Sequence, residues 1–343
     1  MKKTLVALAA LAVVGAASAQ VTLSGGVRAA VQNTGAAGAE TKLDGNEAAS
    51  NNVTITAVED LGGGMKVTAL YHMRNDLMTG DASTSRPGTA VNGLWRNTSV
   101  ALDASFGQIR AGRWGLSGLY AFDAFGAYGS LVNPYAGGSS GGGRYTNMLQ
   151  YQTPSFMGLT AQIGTSIDGS ATQEDGAWLI VDYSAGPLAL RVATEKGQAL
   201  PIKVFSELGF IAAGKAAASG ATAGLIAADD LQVTGVLAGA SYDFGGAKLM
   251  AGYSTAKLVK SSVAVGDDFH VGVNAPMGAM LIKASYLKTT TGTPGAGFNN
   301  TGTDQTAIGV NYFLSKTTWA FADLAKNSSL PNATWQVGLN KTF

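Results

Sequence analysis

The sequence predicts an all-β protein, a sixteen-stranded antiparallel β-barrel that crosses a membrane. Three observations predict it: residues of one parity are apolar and those of the other polar through segment after segment, short and long connections alternate strictly, and charge is scarce with no apolar run long enough for a helix to span. Charged residues make up 13% of the 343, about half the usual share, while Gly reaches 47 against a usual ~7%. Hydrophobic content is 46%, yet beyond the first residues no stretch approaches the ~20 apolar positions a spanning helix needs.

The amino terminus is set apart. Lys2 and Lys3 precede an apolar run from Leu5 to Ala16, and Ala17-Ser18-Ala19 has the small-x-small form of a cleavage site. Residues 1–19 are therefore expected to be a signal peptide and residues 20–343 the barrel domain. Without Lys2 and Lys3 the 23 basic residues fall to 21 against 22 acidic ones, a balance that offers nothing to nucleic acid. There is no cysteine, so neither a disulfide scaffold nor a thiolate metal site can form.

Alternation opens the barrel segment. Val21, Leu23, Val27, Ala29 and Val31 share one parity, and Thr22, Ser24, Arg28 and Gln32 the other. A period of two is that of a strand with one apolar and one polar face. The pattern returns in Leu159–Gly164, Phe269–Asn274, Ile308–Tyr312 and Trp335–Phe343. Strands are expected over residues 20–33, 51–59, 64–75, 95–103, 107–113, 144–153, 158–166, 177–184, 187–195, 231–243, 247–257, 267–274, 279–288, 305–313, 317–325 and 334–343. Short turns follow the even-numbered strands, among them Asp60-Leu61-Gly62-Gly63, Ser105-Phe106, Ala185-Gly186 and Pro276-Met277. Long Gly-rich loops follow the odd ones, as at Asn33 to Ser50 and Trp114 to Gly143. Turns on one rim and loops on the other mark a barrel of the outer-membrane type, whereas a soluble sandwich has no reason to keep that phase. Tyr151, Tyr183, Tyr242, Tyr312 and Phe343 close strands beside short turns, where amphipathic rings rest at headgroup level.

Two segments fit less well. Placing Trp319 and Phe321 outward puts Asp323 in lipid, which a bulge, a rim position or a subunit interface would have to resolve. The stretch from Lys196 to Asp230 is long for a loop, and Pro201 to Ile211 has the length of a hairpin or short helix.

With the segments placed, the chain resembles the Gram-negative general porins, particularly the trimeric β-proteobacterial type. The marks are Val21-Thr22-Leu23-Ser24-Gly25, Glu59-Asp60-Leu61-Gly62-Gly63-Gly64, Phe106-Gly107-Gln108-Ile109-Arg110-Ala111-Gly112-Arg113, Tyr151-Gln152-Thr153-Pro154-Ser155-Phe156-Met157-Gly158, Gly239-Ala240-Ser241-Tyr242-Asp243-Phe244-Gly245 and the closing Gln336-Val337-Gly338-Leu339-Asn340-Lys341-Thr342-Phe343. The resemblance covers nearly all of residues 20–343. It implies an outer-membrane channel through which ions and small hydrophilic solutes diffuse, a homotrimer, and a third loop, here about 114–143, folded into the lumen as a constriction. It also implies that the terminal aromatic, Phe343, is read by the barrel-assembly machinery, and that outer-membrane lipid and lipopolysaccharide surround the barrel.

A channel selects by pore size and by the charge lining its narrowing. The candidates on polar parity are Arg28, Lys66, His72, Arg74 and Arg110; Arg144 opens the strand after the third loop; Arg96 and Arg113 sit at strand ends. Asp123 is the only acid from Trp114 to Gly143. Several arginines facing one carboxylate would set a transverse field and favour anions. Strongly anion-preferring relatives tend to carry arginines near the starts of the second and fourth strands, where this chain has Asn52 and Asn97, so the expected preference is weak to moderate. The alternatives are a substrate-specific channel and an adhesin or structural barrel with binding loops. Enzymatic activity is not expected. Gly209-Phe210-Ile211-Ala212-Ala213-Gly214-Lys215 imitates a phosphate-binding loop but is followed by Ala216, which lacks the hydroxyl for Mg²⁺. His72 and His270 fall on different strands with no ligand cluster, and neither a metal nor another cofactor is expected.

Overall fold

The computed structural model describes residues 20–45, 51–78, 80, 95–115, 122–125, 144–167, 176–198, 232–258, 264–291 and 303–343. Its strands are β1 (Gln20–Asn33), β2 (Lys42–Asp44), β3 (Asn52–Gly62), β4 (Met65–Arg74), β5 (Trp95–Ala104), β6 (Gly107–Gly115), β7 (Arg144–Gln152), β8 (Leu159–Ser166) and β9 (Ala177–Ala185). They continue with β10 (Leu188–Gln198), β11 (Gln232–Asp243), β12 (Lys248–Leu258), β13 (Ala264–Met277), β14 (Met280–Thr291), β15 (Thr303–Ser315), β16 (Thr318–Asn327) and β17 (Thr334–Thr342). From β3 to β17 each strand pairs antiparallel with the next, and β1 pairs with both β3 and β17, so the sheet closes on itself. Sixteen strands form this wall; the seventeenth, β2, is a three-residue addition. The chain is an all-β, sixteen-stranded closed barrel, which leaves no strand edge unpaired in hydrocarbon.

β2 mends a gap in the wall. The lower half of β1, Gln20 to Gly26, pairs with β3, and its upper half pairs on the other side with β17. β3 begins only at Asn52, so β2 pairs with Ala30 to Gln32 in its place. Between the two, the side chain of Asn51 stands in for a neighbouring backbone: its Oδ1 accepts from Arg28 N–H at 2.6 Å and its Nδ2 donates to Arg28 C=O at 3.2 Å. Backbone groups sealed in a wall need such partners.

Parity sorts the residues as a barrel requires. On β1, Val21 and Leu23 are 65% and 61% exposed, while Arg28 is 2% exposed. On β13, Phe269 is 45% exposed and the next residue, His270, is fully buried. Outward apolar side chains recur round the wall, including Tyr71, Val100, Ile163, Val192, Val236, Ile308 and Leu339. Left in water, each would forfeit about 1.5–3 kcal/mol, which is why this belt is a surface for lipid. The exposed Tyr242, Tyr312 and Phe343 stand at the turn end of the belt. Phe343 closes the cylinder there, exchanging backbone hydrogen bonds of 3.0 Å with Gly25.

The placing of Asp323 in lipid is corrected. Phe321 and Asp323 are 3% and 4% exposed and point inward with Ala325, while Leu324 is exposed. The aromatic residues of β16 belong to the lumen face, so the carboxylate never meets hydrocarbon. The β13–β14 turn is also displaced: β13 continues through Pro276 to Met277, which pairs with Met280, and the chain reverses at Gly278-Ala279. Gly278 has φ +60°, a conformation closed to Pro276 by its ring and free of side-chain strain only for glycine. Residues 1–19, Pro201 to Ile211 and Gly209 to Lys215 lie outside the described residues.

Candidate functional site

A stretch of the third loop sits inside the cylinder. The loop leaves the wall at Gly115, the end of β6, and its described stretch, Phe122 to Phe125, is buried. That stretch lies against inward side chains of β12 to β16. In a ring of sixteen, β14 is eight strands from β6, so the described stretch sits against the wall opposite the strand the loop leaves.

Several contacts hold it there. His270 Nε2 meets Phe122 O at 2.6 Å; because a carbonyl only accepts, the ring nitrogen carries the proton. Asp123 Oδ1 accepts from Phe125 N–H at 2.9 Å, a tight turn that directs the next ring into the wall. Phe125 packs with Ala124, Met250, Ala307 and Ala325, and Lys283 Nζ lies 4.6 Å from its ring centre. Phe122 joins an apolar patch of the lumen formed by Met148, Trp178, Ile180, Ala193, Leu237 and Leu287. Two glycines make room for the loop: a Cβ on Gly272 would lie 3.1 Å from that of Ala124, and one on Gly309 would lie 2.9 Å from the Phe125 ring and collide with the Asp323 carboxylate.

Beneath the loop is a sealed charge network. Asp323 receives Lys283 Nζ at 2.8 Å and Gln336 Nε2 at 2.9 Å, and Arg28 Nη2 lies 3.8 Å away. The Arg28 guanidinium stacks over Phe321, 3.5 Å from the ring centre. All three charged side chains are at most 5% exposed. In a medium of low dielectric, removing one partner strands the others, so the network holds the wall and the loop in one arrangement.

The opposite wall is built differently. Arg110 Nε and Nη2 both donate to Gln108 Oε1, at 3.2 and 3.0 Å, and Nη1 donates to Ser99 Oγ at 3.0 Å. Its guanidinium lies 3.9 Å from the Trp114 ring centre. No carboxylate among the described residues forms an ion pair with it; Asp103 is reached through Gln108 Nε2, at 2.8 Å. Arg110 is only partly buried, so its charge acts on the water of the lumen.

The remaining candidates are spread over the height of the barrel. Lys66 is exposed at the turn end of β4, opposite Asp60 and Asp103. Arg74 stands at the loop end of the same strand, opposite Asn52, and His72 is bonded to Thr54 Oγ1 at 2.7 Å. Bulges pass over Arg96 in the β4–β5 pairing and Arg113 in the β6–β7 pairing, and Arg113 Nε donates to Arg96 O at 3.2 Å. The backbone of Arg144 opens β7 opposite Gly115. Sequence reasoning did not single out Lys283, Glu195 or Arg191. Lys283 completes the Asp323 network. Buried Glu195 sits 3.4 Å from Tyr145 Oη, and Arg191 binds Asp182 through Nε and Nη2 at 2.6 and 3.0 Å. Inward parity was available for all three; what it lacks is the identity of the partner across the strands.

Comparison with known proteins agrees with this architecture. The model of the Gram-negative porin family matches residues 4–329. The chain is 31% identical over 308 residues to outer membrane porin protein 32 of Delftia acidovorans, covering 82% of this chain and 77% of that one. It is 34% identical over 116 residues to the major outer membrane protein P.IB of Neisseria sicca, 33% of this chain and 31% of that one. Among solved structures it is similar in fold to the anion-selective porin from Comamonas acidovorans, with a TM-score of 0.69 and 21% identity over 95% of this chain and 100% of that one. It is also similar to the trimer form of OmpT of Vibrio cholerae, with a TM-score of 0.65 and 13% identity over 95% and 100%. With a closed barrel, an apolar belt and this match over nearly its whole length, the chain belongs to the Gram-negative porin family, the non-enzymatic channels of the outer membrane.

Proposed function

We propose that this porin is a general diffusion pore with a weak to moderate preference for anions, narrowed by its third loop, exported by residues 1–19 and assembled as a homotrimer. The observation that carries the preference is the asymmetry between Arg110 and the Asp323 network. Arg28 and Lys283 share their charge with a carboxylate and are sealed from water. Arg110 is hydrogen-bonded to neutral partners, with Asp103 only at one remove through Gln108, and its field extends into the lumen. A low-dielectric wall focuses such a field into the narrow water column, raising the local concentration of anions. Arg74 and His72 add basic groups on the neighbouring part of the wall, and Asn52 adds none. Support from kinship comes from the anion-selective porin of Comamonas acidovorans and, for the oligomer, from the trimer form of OmpT. The bilayer and lipopolysaccharide would cover the apolar belt, and Phe343 would be the residue engaged by the assembly machinery.

The test is a reversal potential in planar bilayers under a KCl gradient. Chloride is expected to lead potassium modestly. A potential of cation-selective sign would overturn the reading. Conductance steps in threes, together with an oligomer on gels that dissociates on boiling, are the results expected of a trimer.

A further inference from the structure

We infer that the turn-side half of the lumen contains a subsite for a small, uncharged, polyhydroxylated solute, built on a row of glutamines across β6, β7 and β8. Gln108 stands directly opposite Gln152, and Gln152 directly opposite Gln162. Gln150, two residues from Gln152 on the same face, faces Arg110. These side chains line a recess of about 170 Å³ bounded by Ile180, Trp114 and Arg191. At about 30 Å³ per water that is room for five or six waters, and it is smaller than the ~300 Å³ at which drug-sized pockets begin. It therefore suits one small solute.

The hydrogen bonds define what the recess offers. Trp178 Nε1 donates to Gln150 Oε1 at 3.3 Å, and Gln150 Nε2 donates to Gln162 Oε1 at 3.3 Å. This relay fixes the Gln162 amide with its carbonyl used and its NH₂ left for the recess. Gln152 makes no side-chain hydrogen bond among the described residues and offers both a donor and an acceptor. Ile180 supplies an apolar surface on the same lining. Mixed donors and acceptors beside a small apolar surface match a ring that carries hydroxyl groups on its edge and C–H groups on its face.

A carboxylate is the less suitable guest. The paired Nε/Nη2 edge of a guanidinium is the fork that grips a carboxylate. On Arg110 that edge is closed by Gln108 Oε1, and on Arg191 by the Asp182 carboxylate. Arg110 thus attracts anions at a distance while presenting no open fork in the recess. The subsite needs an open pore but not the anion preference, so a cation-selective reversal potential would leave it standing.

The experiment is ion-current noise of the full-length porin in planar bilayers, with D-glucose added at increasing concentration and potassium succinate as the second arm. Saturable glucose-dependent noise is expected, with no saturation by succinate. Gln152→Leu and Gln162→Leu are each expected to raise the half-saturating glucose concentration about tenfold, as loss of a bound hydrogen-bonding group does, with the KCl reversal potential unchanged. Gln152→Asn, which keeps the amide and guards against a failure of the leucine variants to fold, should fall between. Absence of saturable noise with glucose, saturation by succinate alone, or half-saturation unmoved in the variants would each overturn the inference.

Discussion

Two sides of one lumen use the same residue types in opposite ways. On the side of β1, β14, β16 and β17, Arg28 and Lys283 are sealed beneath the third loop and share the Asp323 carboxylate. On the side of β6 to β8, Arg110 rests on Ser99, Gln108 and Trp114 and faces water. Both arginines are inward by parity and look alike in a sequence. What separates them is the nearest acid: Arg28 reaches the Asp323 carboxylate two strands away, past Asn340, whereas Arg110 is bonded to neutral groups and has Asp103 only at one remove, through Gln108. Ionic groups here divide between holding the loop and shaping the field, and a substitution should reveal which by moving stability or moving selectivity.

The sharpest break comes from Asp323→Ala. It would leave Lys283 and Arg28 uncompensated in a buried site, a loss of about 3–5 kcal/mol. A lower melting transition by circular dichroism is expected, with noisier single-channel currents as the loop loses its seat. Unchanged melting would mean that the network does not hold the wall. Gly272→Val and Gly309→Val test the seat from the other direction. Overfilling a packed contact costs typically about 1–3 kcal/mol; in Gly272→Val relief requires Ala124 to move, whereas in Gly309→Val the Asp323 carboxylate must move together with the Phe125 ring. Single-channel conductance is expected to change in both, with the melting temperature lowered less in Gly272→Val than in Asp323→Ala, and more in Gly309→Val than in Gly272→Val because the Asp323 network is displaced as well.

Arg110→Glu addresses the other side. It replaces a positive field by a negative one and should carry the KCl reversal potential to the cation side with little loss of stability. In Arg28→Gln the ordering reverses, with stability falling more than selectivity. If both substitutions moved selectivity equally, the division between the two sides would fail. The smallest effect is that of salt. Between 0.1 and 1 M the screening length contracts from about 10 to 3 Å. The selectivity set by Arg110 should fade over that range, while the sealed network, inaccessible to counterions, should leave the melting temperature nearly constant.

The legible part of the molecule follows from local rules. Each of the sixteen wall strands was expected at its place from parity and turn residues. The misreading on β16 came from assuming that aromatic rings face lipid. Phe321 instead carries Arg28 on its face, and Phe125 lies near Lys283, so rings inside this barrel serve as neutral platforms for cations. β2 escaped notice because three residues are too few to show a period, and because the need for it arises only where β3 stops short of the upper half of β1. The glutamine row was visible residue by residue on its strands, but its meaning is a matter of register, since a shift of one residue in either pairing would part Gln108, Gln152 and Gln162.

Alternation, turn chemistry and the shortage of charge by themselves determined that this chain is a closed barrel with a greasy exterior and a polar interior, because a pleated strand can only send neighbouring side chains to opposite faces. The tertiary structure alone decided which inward charges meet and where the third loop comes to rest. Closing the ring sets residues far apart in the chain, Arg28 and Asp323 among them, side by side at a particular register, and no pattern within a single strand encodes that meeting.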